Sequence, residues 1–530
     1  MGPNYFSFLG TIVMRAIFPL LVTVFFAATS FAEPKDKKEP KRNFAIGKET
    51  TYVTGPVDKD GRIDYPAALS ERMGKGVTAE TNANVMIWKT FGPKPEGGKG
   101  MPAEFFKLMG MSEPPEKGEY FVDLWRFAKE HLSVEDREEL EEIEEQCVRT
   151  GRQPWGAKNH PYVADWLKMN EKPLALFVEG MKRPRYFSPL VPGSDGGGLL
   201  SALLPAIQKC RGVTRALIAR SVLRLHEGKT DAAWEDLMTC HRLARHLAKG
   251  GTLIEALVGI AIEQIAFKTG IAFLERPEFD SKQLLKFLGE LRALPRLPEL
   301  GTSMDSAERF SFLDIVMQVD REGLSYLKVL GDLTNQIPVR TGPLEYMNWD
   351  LGLRAANKMF DRMSAAMRHG SRDKREAELN AIDAALRELK KSLDESGDLA
   401  NVLLGAGVTP EFRGEFVGKL LMTYLMPAVR KVQTASDRAE QSHRNQQIAF
   451  ALAAYQRDHK NYPKSLADLS PKYLPQVPND LFSGNPIQYH ATERGFLIYS
   501  VGPNGIDEEG RWFDDEPRGD DPNVRIPPKQ

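Results

Sequence analysis

The sequence predicts a mainly α protein, made of antiparallel helical hairpins or a bundle, that ends in a small α+β domain with a long helix packed on an antiparallel sheet. Three observations predict it. Residues 199–429 carry apolar side chains at helical spacing almost throughout. A further helical pattern runs from about Met422 through Arg430, Ala439 and Ile448 to Tyr455. Short β-rich runs follow at Ile487–Tyr489, Phe496–Val501 and Val524–Ile526. With 530 residues the chain is long enough for several domains and a sizeable core.

The N-terminus reads as a targeting segment. Arg15 precedes an apolar run, Ala16 to Phe26, that is short for a membrane span. Ser30, Phe31 and Ala32 then fit a leader-peptidase site, giving a signal peptide over 1–32. A charged linker over 33–45 follows. A cleaved secretory signal and an uncleaved anchor both place the remainder outside the cytoplasm, in the periplasm or the extracellular space. No Cys follows the apolar run, which argues against a lipoprotein signal.

Charge is balanced, with 71 Lys+Arg against 72 Asp+Glu. A general nucleic-acid binder needs a basic face to neutralise phosphates, so that class is not expected. The three cysteines, Cys147, Cys210 and Cys240, leave at least one thiol free in an oxidising compartment. Cys210 and Cys240 lie on successive helical patterns. Pairing and buried free thiols both remain open.

Residues 46–191 form an irregular region rich in Pro, Gly and aromatics, with short helices. Thr50–Thr54 reads as a short strand. Ser133 and Asp136 form a variant capping box expected to start a helix. Gly193–Gly198 is a glycine-rich loop. It lacks the Lys-Ser/Thr of a phosphate cradle and the Gly-x-Ser-x-Gly of a nucleophile elbow.

Within 199–429, Ile218, Val222 and Leu225 mark one apolar stripe, and Trp234, Leu237, Met238, His241 and Ala244 mark the next. Gly228–Asp231 turns between them, with Thr230 or Asp231 as cap. Two such helices make an antiparallel hairpin. Leu253–Leu274 is apolar nearly all round, as a central buried helix is. Further helices are expected from Asp305, from about Tyr346 and across Arg372–Ser396.

Residues 430–530 carry a family resemblance. Gln447 to Tyr455 (QIAFALAAY), then Asp458 to Pro463 (DHKNYP), then Leu466, Leu469, Tyr473, Val477–Asp480, Phe482, Gly484, Pro486 and Tyr489, match the helix, exit turn and loops of one fold. The run Tyr499–Gly505 (YSVGPNG) closes it. This segment resembles the globular domain of type II secretion pseudopilin G. The whole chain resembles large exported bacterial proteins that carry such a tail after a helical region.

That family binds calcium in the last loop. The resemblance therefore implies a calcium site here, carried by Asn504, Asp507, Asp520 and Asp521. Asn504 stands where the family has Asp, and the loop is longer. The loop is acidic, from Asp507 and Glu508 to Asp520 and Asp521, with Arg511 and Arg518 against them. Hard oxygen ligands in a flexible loop suit calcium, and a solvated acidic loop is the other reading.

Two motifs mislead. Lys249–Ile262 imitates a type IV pilin start, with Glu255 fifth from Gly251. A leader of about 250 residues and the polar Glu263, Gln264 and Lys268 argue for a buried helix instead. Asp58–Asp64 imitates an EF-hand loop. Aligned on Gly61, its first and twelfth ligand positions fall on Pro56 and Ala67, so a surface turn is expected.

No catalytic constellation stands out. His226, His241 and His246 cluster in sequence, yet 241 and 246 fall on different helix faces. His241, on the apolar stripe, is expected to be a core histidine. The resulting expectation is an exported, non-enzymatic binding or scaffold protein with a protein or envelope partner. The alternatives are a component of a type II secretion or pilus-like assembly, and an extracellular hydrolase with its site in the N-terminal region.

Overall fold

The computed structural model describes residues 43–95, 100–151, 153–193, 198–202, 204–323, 326, 347–395, 407–426 and 429–527. The signal segment, most of the charged linker and residues 194–197 of the glycine loop lie outside the described residues. Among those described, the protein is mainly helical with one small three-stranded antiparallel sheet. The chain forms two compact units. One comprises the described parts of Met1–Lys75, Pro189–Leu203 and Glu299–Arg430. The other comprises those of Gly76–Ser188, Leu204–Pro298 and Lys431–Gln530.

In the first unit, Thr50–Thr54 is a turn rather than the expected strand. The Gly47 carbonyl accepts from the amides of Thr50, Thr51 and Tyr52, which coils the chain before a ladder can form. Asp58–Asp64 is also a turn: Asp58 Oδ1 accepts from the amides of Asp60 and Arg62, both at 2.9 Å. Asp64 then caps the Tyr65–Gly74 helix through the Ala67 amide. Tyr65 packs edge-on against Phe310 of the Arg309–Glu322 helix, with centroids 5.5 Å apart. The side chain of Asp320 is buried and satisfied by Arg62 (2.9 Å), Asn43 (2.8 Å) and the Trp349 indole (3.0 Å). The Asp350–Met367 and Pro410–Leu425 helices cross at glycines. A Cβ on Gly418 would lie 2.7 Å from the Gly352 Cα, so a side chain at this crossing would force the helices apart.

In the second unit, the Pro205–His226 and Thr230–Ala248 helices pack together across a turn at Gly228, whose φ of +75° suits glycine. Thr230 opens the second helix, but no side chain caps it. Arg220 grips Asp236 through two bonds of 2.9 and 2.6 Å, and Arg224 adds a third at 2.8 Å. The Leu253–Leu274 helix packs on Thr230–Ala248. It starts with a capping box between Thr252 and Glu255. By length and composition it could cross a membrane, but it is mostly buried within the protein. Its Gly259 sits so close that a Cβ would meet the Ala244 carbonyl oxygen at 2.5 Å. Glu255, the residue that gives the pilin-like look, is fully buried and accepts from Tyr186 at 3.1 Å.

The Ser133 cap shifts three residues. Ser133 takes a φ of +57°, which an N-cap cannot use, and Asp136 caps the Arg137–Thr150 helix through the amides of Glu138 and Glu139. The expected continuous helix from Met422 is two helices. Met426, with ψ 125°, ends the first, and Val429–His459 is the second. Phe450 of that second helix meets Trp234, which stacks on Phe287 at 4.2 Å. All three cysteines are buried and unpaired, with burial pushing the Cys147 thiol up to about 12.

Strand β1 (Gln488–Ala491) pairs with β2 (Phe496–Tyr499), and β2 with β3 (Asn523–Ile526), both antiparallel. The β1–β2 turn closes where Thr492 donates to the Gly495 carbonyl. Phe496, Ile498, Tyr499 and Val524 are buried. Residues 500–522, between β2 and β3, hold the acidic loop.

Candidate functional site

The acidic loop folds back because its own side chains bond its backbone. Asp521 Oδ2 accepts from the amides of Glu508 (3.0 Å) and Gly510 (2.9 Å). Glu508 Oε2 accepts from the Asp520 amide at 3.0 Å. These reciprocal bonds bring the start and end of the loop together. Gly502, at φ +66°, is the other requirement. A Cβ there would lie 2.3 Å from Asp520 Oδ1 and 2.5 Å from the Asp520 carbonyl.

The result is a convergence of three carboxylates. Oxygens of Glu508, Asp520 and Asp521 lie within 4.8 Å of one another. Asp521 is fully buried. Its Oδ1 and the Oδ1 of Asp520 are buried with no hydrogen-bond partner. A buried carboxylate oxygen without a partner is costly, and native structures leave few. Arg438, on the Val429–His459 helix, pairs with the group at 3.3 Å from Asp520 Oδ2, and Arg511 lies near enough to act on Glu508. Arg438 also lies over the Phe513 ring at 4.8 Å, which fixes its position. Burial raises the carboxyls of both Asp520 and Asp521 above the usual range.

The four residues expected at the site divide. Asp520 and Asp521 converge. Asn504 stands one step back: its amide donates to Glu508 Oε1 at 2.7 Å, and its Oδ1 accepts from the Ile506 amide. Asp507 Oδ1 accepts from the Glu509 amide at 2.8 Å. Glu508 is the residue that the resemblance does not single out. Its carboxylate is held beside the aspartates by the Asn504 side-chain amide and the Asp520 backbone amide, a placement that only the folded loop produces.

Asp480 supports the loop from beneath. Its buried carboxylate accepts from Ser500 Oγ (2.6 Å), Ser483 Oγ (2.8 Å) and the Phe482 and Val501 amides. Ser500 and Val501 are where β2 enters the loop.

His241 takes a structural place. His241 is buried, with Nδ1 2.9 Å from Glu263 Oε2, and Arg245 donates to the same oxygen at 2.7 Å. Burial alone would raise the Glu263 carboxyl. His241 and Arg245 outweigh it and hold the group well below the usual range. In the irregular N-terminal region, a cleft of about 420 Å³ between Ala103 and Glu113 presents Lys107, Ser112 and Glu113 but no histidine.

Comparison with known families, curated proteins and solved structures finds no match to this chain.

Proposed function

We propose that this is an exported, non-enzymatic binding or scaffold protein whose C-terminal part, a long helix packed on the three-stranded sheet, holds calcium in the loop between β2 and β3. The observation that carries the metal reading is the pair of buried, unpartnered oxygens, Oδ1 of Asp520 and Oδ1 of Asp521, beside the Glu508 carboxylate. All three are hard oxygen donors, which select calcium or magnesium over softer metals. Three carboxylates facing Arg438, with Arg511 also near Glu508, leave an excess of negative charge that a divalent cation would offset.

Support for a single α+β part comes from bonds between the long helix and the loops. Asn445 donates to the Pro522 carbonyl at 2.7 Å, and Gln441 accepts from the Leu481 amide at 2.7 Å. Arg438 reaches Asp520 from the same helix. Export rests on the N-terminal segment and on the resemblance, as does the protein or envelope partner.

Thermal unfolding of the full chain in rising calcium tests the metal reading. Binding to the folded state alone raises the midpoint progressively. Asp520→Ala with Asp521→Ala should abolish the rise. An unchanged midpoint at millimolar calcium, or an undiminished rise in the double variant, contradicts it.

A further inference from the structure

We propose that the second unit binds a small amphiphilic oxyanion, such as an alkyl phosphate or carboxylate, in the cleft between the Thr230–Ala248 helix, the segment after Gly180 and the end of the Ser281–Ala293 helix. The cleft has a volume of about 510 Å³, within the usual range for small-molecule sites. Its walls hold Lys182, Arg183, Arg242, Arg245 and Lys249 against one acid, Glu290. The chain as a whole is charge-balanced, so this concentration is local.

The neighbouring acids leave part of that charge unmatched. Glu235 takes Arg242 at 2.9 Å and Lys182 at 3.6 Å, and Glu179 takes Lys182 at 2.6 Å. Glu263 takes Arg245. Glu290 is engaged by the Trp234 indole at 2.7 Å. Arg183 donates to the carbonyls of Ala79 and Asn82, and Glu80 acts on it without an ion pair. Lys249 forms no ion pair among the described residues. It is half-buried, and desolvation, then Arg185 and Arg245, push its ammonium below the ordinary lysine value. A half-buried ammonium beside other cations is stabilised by an arriving anion.

The same cleft carries Met181, Met238 and Leu294. Methionines make an adaptable apolar wall. The cations therefore suit an oxyanion head, with guanidinium forks matched to phosphate or carboxylate oxygens. The apolar wall suits a short hydrocarbon body. Inorganic phosphate shares the head and lacks the body. This site is independent of the acidic loop, and its failure would leave the calcium reading untouched.

Calorimetric titration of the full chain with octyl phosphate, octanoate and inorganic phosphate, each below micelle-forming concentration, tests this. At least one of the two octyl ligands should bind tenfold or more tightly than inorganic phosphate. Arg242→Glu with Lys249→Glu should weaken that binding at least tenfold while leaving the unliganded melting midpoint within a few degrees. Should the double variant unfold, Lys249→Gln alone serves, with a loss of severalfold expected. No binding of either octyl ligand at millimolar concentration overturns the proposal. So does equal binding of inorganic phosphate, or unaltered affinity in the charge variants.

Discussion

The amide of Glu508 donates to Oδ2 of Asp521 across 3.0 Å, and this bond closes the acidic loop on itself. The Glu508 carboxylate receives the Asp520 amide in return. Two ends of a loop that repel by charge are thus held by backbone donors. The bond brings the carboxylates of Glu508, Asp520 and Asp521 together from the two ends of one loop. Oδ1 of Asp520 and Oδ1 of Asp521 stay buried beside it.

Replacing Asp236 should destabilise the protein strongly. Its buried carboxylate compensates Arg220, which is 9% exposed in its side chain, and also serves Arg224. Removing one member of a buried pair strands the other charge, at a cost of about 3–5 kcal/mol. Denaturant unfolding of Asp236→Ala should show that loss. A change below about 1 kcal/mol would mean that water already screens the two arginines.

Gly259→Ala should also be costly, although alanine is the better helix former. The added methyl meets the Ala244 carbonyl oxygen, a backbone atom that cannot swing aside. Overpacking of this kind costs about 1–3 kcal/mol. If the variant proves more stable, the gain in helix propensity exceeds the clash and the two helices can separate freely.

Asp314 should make the first unit pH-sensitive. It is buried, accepts from the Leu199 amide at 2.6 Å, and burial raises its carboxyl to about 6. An unfolded aspartate titrates near ~3.9, so the folded state holds the proton more tightly. The associated stability is fully present below about pH 4 and is lost as pH rises through about 6. The difference amounts to roughly 2–3 kcal/mol. Comparing Asp314→Asn with the wild type by denaturant unfolding from pH 4 to 7 should show the wild type losing that stability relative to the variant. Parallel curves would refute the burial argument.

Much of the fold is visible in the sequence because local rules agree there. Trp234, Leu237, His241 and Ala244 share a helical stripe, and all four are buried. Gly495 marks the hairpin turn, and Val524 the third strand. What the sequence hides is set by contacts distant along the chain. Thr50–Thr54 has the β-branched content of a strand, but Gly47 lies close enough to capture its amides. The Glu508 side chain looks no different from its acidic neighbours until Asp521 claims its backbone. The unmatched charge of Lys249 depends on Met181–Pro184 and Leu294 arriving from separate segments, and no spacing in the chain announces that.

The most direct measurement is calorimetric titration of the full chain with calcium, beside Glu508→Gln and Asp521→Asn. One saturable site is expected in the wild type. Each variant should bind at least tenfold more weakly, since each removes a charged ligand from a three-carboxylate group. Asp507→Asn should bind nearly as the wild type does, because its carboxylate is turned to the Glu509 amide. No heat of binding in the wild type, or equal affinity in the Glu508 and Asp521 variants, would contradict the central claim.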